Sequence, residues 1–512
     1  MRIPAFSRST WLLIVLVGVK LALHFFTNTL YGLHRDEYLY MAEGEHLRLG
    51  YMEGPPMIAF LAKLAIILGK TEFTVRLLPA LAGSLLMVLA VRLTGHLKGS
   101  FAAQVLVGMA LLVSPALLGS NTLFQPVSFN QLGWMVVVYL LVRLQQTQKP
   151  RYWYLLGFAV GLGLLTKYSL AFWLLALALP FLLTKERHWL TTRHPYLAIA
   201  AALMMFLPNF LWQVNHHWPL LEHMRVLQER QLVNVTPANF LADQMMYQGI
   251  FLVLWISGLV GPWLVKSLSP LRWITGAYVC IVLLLLYLSG KSYYMLGAYP
   301  ILMVLGALTW DHLMVKPRRL VIAGSVLVLL NLPLLPLAIP LLPLSTMVNY
   351  SKFLSEEVGL DGPFRWEDGV VRDLRQDYAD MHGWEEMVQK VAELYHSLPP
   401  NEQATTQVYG GGYGHAGALN FYREKYDLPE AASFSASFVM WVSDEFPYTQ
   451  QITVDDVWNG ESPYFATVDF VDSIRHPWAR DPGYIFFKRT PTAPLDSVWG
   501  TLAKEEKATW GF

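Results

Sequence analysis

Cysteine is nearly absent: one residue, Cys280, in 512. It lies in the apolar run Tyr278-Val279-Cys280-Ile281-Val282, so no intramolecular disulfide, iron–sulfur cluster or cysteine-based zinc site can form. Charge is also scarce. Only 15% of residues are Asp, Glu, Lys or Arg, against roughly 25% in soluble domains. The net charge of +1 leaves no polybasic footprint, which excludes nucleic acid as a partner. No repeat of 20–50 residues is present, so propellers and solenoids are not supported. Gly290-Lys291-Ser292 lacks the upstream glycine spacing of a phosphate-binding P-loop, so a nucleotide site has no support.

What the chain has instead is hydrophobic length. Hydrophobic residues make up 54% of it. A span needs about 20 apolar residues, and eleven candidate stretches are visible: 11–31, 75–94, 101–118, 127–144, 152–166, 169–184, 195–213, 244–265, 273–289, 294–312 and 319–341. The first is too long for a signal peptide and lacks a small-residue cleavage site after it. With the N-terminus inside, the short cytoplasmic connections carry fifteen Lys and Arg residues, from Arg2 and Arg8 to Lys316, Arg318 and Arg319. The other side carries fewer, and its long first loop balances them with acids. The positive-inside rule therefore predicts a cytoplasmic N-terminus and an extracytoplasmic C-terminal region.

Composition changes after the proline-rich stretch 333–343. The rest is polar and globular. Residues 383–394 have helical periodicity, while 405–409 and 484–487 read as strands. The expected architecture is an all-α polytopic membrane domain, residues 1–344, with a structured first outer loop at 32–74. A soluble extracytoplasmic α/β domain follows at 345–512.

The first outer loop carries the chemistry. Arg35 to Glu43 is predicted to start a short helix at the membrane surface, with Asp36 and Glu37 adjacent in it. Gly50-Tyr51-Met52-Glu53-Gly54-Pro55-Pro56 predicts a turn that fixes Glu53. Met57 to Leu68 is apolar but too short to span, and suits a second surface helix. Grouped carboxylates can act as general base, orient a hydroxyl or hold a divalent cation, or they can simply mark the water boundary. Three other outer positions suit an anion: Lys291 with Tyr294, Lys167 at a tight turn, and His216 in the Trp-rich exit of a span. Snorkelling lysines and an aromatic belt explain Lys167 and His216 equally well.

Arg35-Asp36-Glu37-Tyr38-Leu39-Tyr40 followed by Gly50 to Pro56 resembles the first loop of bacterial GT-C membrane glycosyltransferases of the protein-O-mannosyltransferase type. The superfamily includes the aminoarabinose transferase acting on lipid A. The resemblance extends through residues 74–83, Leu164 to Tyr168, Pro208 to Gln213 with His216, and Gly290 to Tyr294. It continues in Tyr378 to Trp384 and Tyr413 to Tyr422.

It implies a sugar donor linked to polyprenyl phosphate and a lipid, glycan or protein acceptor. It places the reaction at the outer face of a bacterial cytoplasmic membrane, among membrane lipids. It makes Asp36 the base on an acceptor hydroxyl, with Glu37 assisting. Glu53 falls near the donor phosphate or a metal and is the best candidate metal ligand. Lys291 binds the phosphate, beside Tyr294, with His216 and Lys167 as further candidates. No cofactor is certain; a divalent cation stays open. One departure is that relatives often carry an acid in the second outer loop, where this chain has Asn130.

The rival reading is a transporter or flippase, or a non-catalytic binder, of lipid-linked sugar. A transporter should carry ionisable residues near the bilayer midplane. The spans read as nearly free of them.

Overall fold

A computed structural model describes residues 6–512 except 231, 315 and 459; Arg2, one of the bases behind the orientation, lies outside them. The chain packs as two compact units. One comprises 1–28, 76–210 and 226–341; the other comprises 29–75, 211–225 and 342–512. The first outer loop thus falls in one unit with the C-terminal region.

The first unit is helical. Among the described residues, seven helices of the chain are long and apolar enough to cross a membrane, or nine if two bent pairs each count as one span. The eleven stretches include Arg151–Thr166 and Leu170–Leu182, of 16 and 13 residues. At 1.5 Å per residue these reach roughly 20–24 Å, short of a hydrocarbon core of about 30 Å.

The bent pairs are Phe101–Leu112 with Pro115–Thr122, and Pro237–Met246 with Gly249–Leu264. A break inside a membrane exposes backbone polar groups that need partners. Asn331 serves both breaks. Its Nδ2 donates to the Val113 carbonyl at 2.7 Å, and its Oδ1 accepts from the Ile250 N–H at 3.0 Å. Helices Leu252–Leu264 and Tyr299–Leu313 meet backbone to backbone. A Cβ on Gly258 would stand 1.8 Å from the Leu302 carbonyl oxygen, so only glycine allows this approach.

The spans are not free of buried ionisable groups, contrary to the sequence reading. Lys20 and His24 lie one turn apart on the inward face of the first span, Arg8–Thr27, and both are buried. The His24 Nδ1 lies 3.3 Å from the Thr122 hydroxyl. Averaged hydropathy hides such a stripe, because two polar side chains four residues apart barely lower the mean of a 20-residue run.

The second unit is α/β. Strands β1 (Thr406–Gly410), β2 (Gln450–Asp455), β3 (Phe465–Asp472) and β4 (Tyr484–Pro491) form one sheet in the order β1-β2-β4-β3. The β1–β2 pair is parallel and is bridged by the helix Tyr413–Tyr426; the other pairs are antiparallel. Two strands and the helix Trp384–Ser397 fall where the sequence predicts them. The loop contributes helices Arg35–Glu45 and Met57–Ile67.

Candidate functional site

The loop helix Arg35–Glu45 starts on a reciprocal cap. His34 is the N-cap, and its Nδ1 accepts the Asp36 N–H at 3.2 Å. Glu37 closes the box by accepting the His34 N–H at 2.7 Å. Glu37 is fully buried there, so it shapes the helix start. The His34 Nε2 lies 3.7 Å from Asp380.

Asp36 faces the other way. Its side chain is 31% exposed. Its Oδ1 accepts from the Tyr413 hydroxyl at 2.8 Å, and the Tyr413 ring lies under the Arg35 guanidinium at 4.7 Å. Arg35 is ringed by charge. Burial works against its cationic form, but Tyr413, Asp380, Asp36 and Asp481 together raise its pKa above the ordinary value. Burial, opposed by His34, Arg480 and Arg35, leaves the Asp380 carboxyl above its usual range.

Tyr413 can reach Asp36 because its helix lies against the loop helix at close range. A Cβ on Gly417 would stand 2.7 Å from the Tyr38 Cβ, and one on Gly414 would stand 2.8 Å from the Trp384 ring. The start of that helix is fixed in turn. His415 Nδ1 accepts the Gly412 N–H at 3.2 Å, and its Nε2 lies 3.0 Å from Asp481.

Glu53 occupies the predicted turn. Its Oε1 accepts the Ser437 N–H at 2.9 Å and its Oε2 accepts the Ser437 hydroxyl, which itself accepts the Met52 N–H at 3.1 Å. Glu43 lies beside it, buried. Burial first, then the Glu53 charge and a hydrogen bond to it, push the Glu43 carboxyl well above its usual range. Both Glu53 oxygens are thus hydrogen-bonded. Among the described residues no group of three or more His, Cys, Asp or Glu could hold a metal ion.

His216 lies in an aromatic group whose Trp212 ring abuts Gly50 of the same loop. Its ring is 4.5 Å from that of Trp212 and 5.1 Å from that of Phe512, and its Nδ1 contacts the Trp212 carbonyl at 2.8 Å.

In the membrane unit, the structure brings together three of the predicted residues. The Lys167 Nζ stands 5.4 Å from the Tyr293 ring centre and 5.2 Å from that of Tyr294. The Lys291 Nζ stands 6.0 Å from the same Tyr293 ring. Two cations therefore share one aromatic platform, a geometry that pairs readily with a phosphate. Next to them, Ser292 donates to Asp243 at 2.6 Å. Asn130 is buried, and its Nδ2 lies 3.3 Å from the Ser169 hydroxyl.

The sequence reading missed Ser437, Glu43 and the Tyr413–Asp36 contact. Tyr413 stood in a quoted motif, but nothing in its neighbours announces a partner 377 residues away.

The multi-span helical unit, the acidic loop and the mixed sheet of this order are shared with a solved structure. The crystal structure of ArnT from Cupriavidus metallidurans bound to undecaprenyl phosphate matches with a TM-score of 0.62 at 14% identity, over 94% of this chain and 98% of that one. The apo state of the same protein matches equally. The archaeal oligosaccharyltransferase AglB from Archaeoglobus fulgidus, in complex with an inhibitory peptide and a dolichol-phosphate, matches with a TM-score of 0.48 at 11% identity, over 87% and 69%. Residues 53–212 match the family described as dolichyl-phosphate-mannose-protein mannosyltransferase. No curated protein matches the sequence. The fold is shared with ArnT over most of the chain, and the family match covers residues 53–212.

Proposed function

We propose that the chain transfers a sugar from a polyprenyl-phosphate donor to an acceptor hydroxyl or phosphate at the outer face of a bacterial cytoplasmic membrane. The orientation is the one the basic residues predict, N-terminus inside. The observation that carries the reading is Asp36: a partly exposed carboxylate at a rigid helix start, one oxygen held by a phenol.

With an acceptor hydroxyl, Asp36 takes its proton as the oxygen attacks the sugar C1. The C1–O bond to phosphate breaks, and polyprenyl phosphate leaves carrying the electron pair. Lys291 and Lys167, on their shared tyrosine platform, offset the charge that grows on the phosphate. Glu37 holds the helix start, and Glu53 shapes the loop beside it. The undecaprenyl phosphate bound to ArnT supports a lipid-phosphate donor.

The buried Lys20 and His24 favour a second reading, passage of a lipid-linked sugar through the spans. One experiment separates the two. The full-length protein is reconstituted and given undecaprenyl-phosphate-linked mannose, glucose, galactose and aminoarabinose, with mixed envelope lipids and glycans as acceptors. The expected result is transfer of at least one sugar, abolished by Asp36→Asn. Lys291→Ala should raise the donor KM about tenfold or more, the scale of one charge-assisted contact. Movement of donor across the bilayer without transfer, or full activity of Asp36→Asn, would overturn the proposal.

A further inference from the structure

The structure assigns Tyr413, from the soluble region, as the positioning residue of the loop carboxylate Asp36; the assignment rests on the reading of Asp36 as base. A carboxylate on a helix N-terminus rotates about its own side-chain bonds. Its oxygens exchange places unless something holds one of them. Here Tyr413 holds Oδ1, at 2.8 Å. The phenol is itself fixed. It sits in the first turn of its helix, its ring lies under Arg35, and Gly414 and Gly417 seat the helix against Trp384 and the loop helix. With Oδ1 committed, the plane of the carboxylate is set, and Oδ2 stands 3.9 Å from the His34 Nδ1. The phenol also stays a donor at any working pH. Burial, with the negative charge of Asp36, keeps it protonated well beyond the ordinary tyrosine range.

The same region holds the second loop acid in the same manner, through the Ser437 N–H and hydroxyl on Glu53. Two contacts at separate points, Tyr413 at a helix start and Ser437 within the 436–440 turn, fix two acids of one loop. The soluble region is therefore part of the acid–base machinery and not only a platform for the acceptor.

The test uses the full-length protein, the donor of the four above that wild type turns over, and a pH profile. Tyr413→Phe keeps the ring under Arg35 and removes only the hydroxyl. The expected result is a fall in kcat of about tenfold, the lower end of an acid–base contribution, with the donor KM unchanged and the acid limb of kcat displaced to higher pH. Replacing Tyr413 with 3,5-difluorotyrosine, a stronger donor, displaces that limb to lower pH. This variant decides the matter should the Phe protein not fold. A limb unmoved in both variants, with Asp36→Asn inactive, overturns the positioning role and leaves the base assignment standing. An active Asp36→Asn overturns both.

Discussion

A carboxylate three residues into a helix can bond back to the N-cap N–H, and Glu37 does so in full burial. Its neighbour Asp36 points outward and meets a phenol. The residue scale thus separates two acids that the sequence offers as a pair. Glu43 shows the opposite electrostatic case. Its folded carboxyl holds a proton that the unfolded chain releases above about pH 4.5. Between that pH and its raised folded value, the folded state binds more protons, so stability falls as pH rises. Glu43→Gln keeps a donor toward Glu53 and removes the titration. The wild-type melting temperature should therefore decline more steeply as pH rises above about 5 than that of Glu43→Gln, as followed by intrinsic fluorescence. Parallel curves would remove the proton from that pair.

At the scale of elements, contact distance between helices decides what the site contains. The loop helix and the helix Tyr413–Tyr426 touch where a side chain on Gly417 would collide with Tyr38. Gly417→Val should destabilise by about 1–3 kcal/mol, the usual cost of overpacking, and should lower transfer with it as Tyr413 withdraws from Asp36. Gly133→Ala, in a helix with open space at its Cβ, should be neutral or stabilise by up to about 1 kcal/mol. Thermal unfolding of the two variants checks the contrast. The loop helices were legible, because an acidic start, a Gly-Pro-Pro turn and a short apolar run each have local signatures. The partner face was not: glycine spacing in Tyr413–Tyr426 marks a close approach without saying to what.

Across the whole molecule, the sequence yields the division into spans and a mixed α/β region, because hydropathy and strand alternation are local. It does not yield the membership of the loop, which packs with residues 300 or more positions later. Lys167, Lys291 and Tyr294 were each visible as out-of-place charges or rings. That they share Tyr293 required the fold. Bent spans were read as continuous ones, since the compensating Asn331 lies far from both breaks.

The buried face of the first span also bears on how the protein is made. A lysine at the centre of an inserting helix costs about 2.5–3.5 kcal/mol on translocon scales. Lys20 enters the translocon long before Thr122, the hydroxyl that meets His24, has been synthesised. Placed alone in a glycosylation-mapping reporter, the segment Arg8–Thr27 should insert incompletely. Lys20→Leu should bring insertion close to completion; equal insertion of both would show that the apolar majority suffices. Arg8–Thr27 is thus a helix whose place in the bilayer becomes secure only once a later helix arrives.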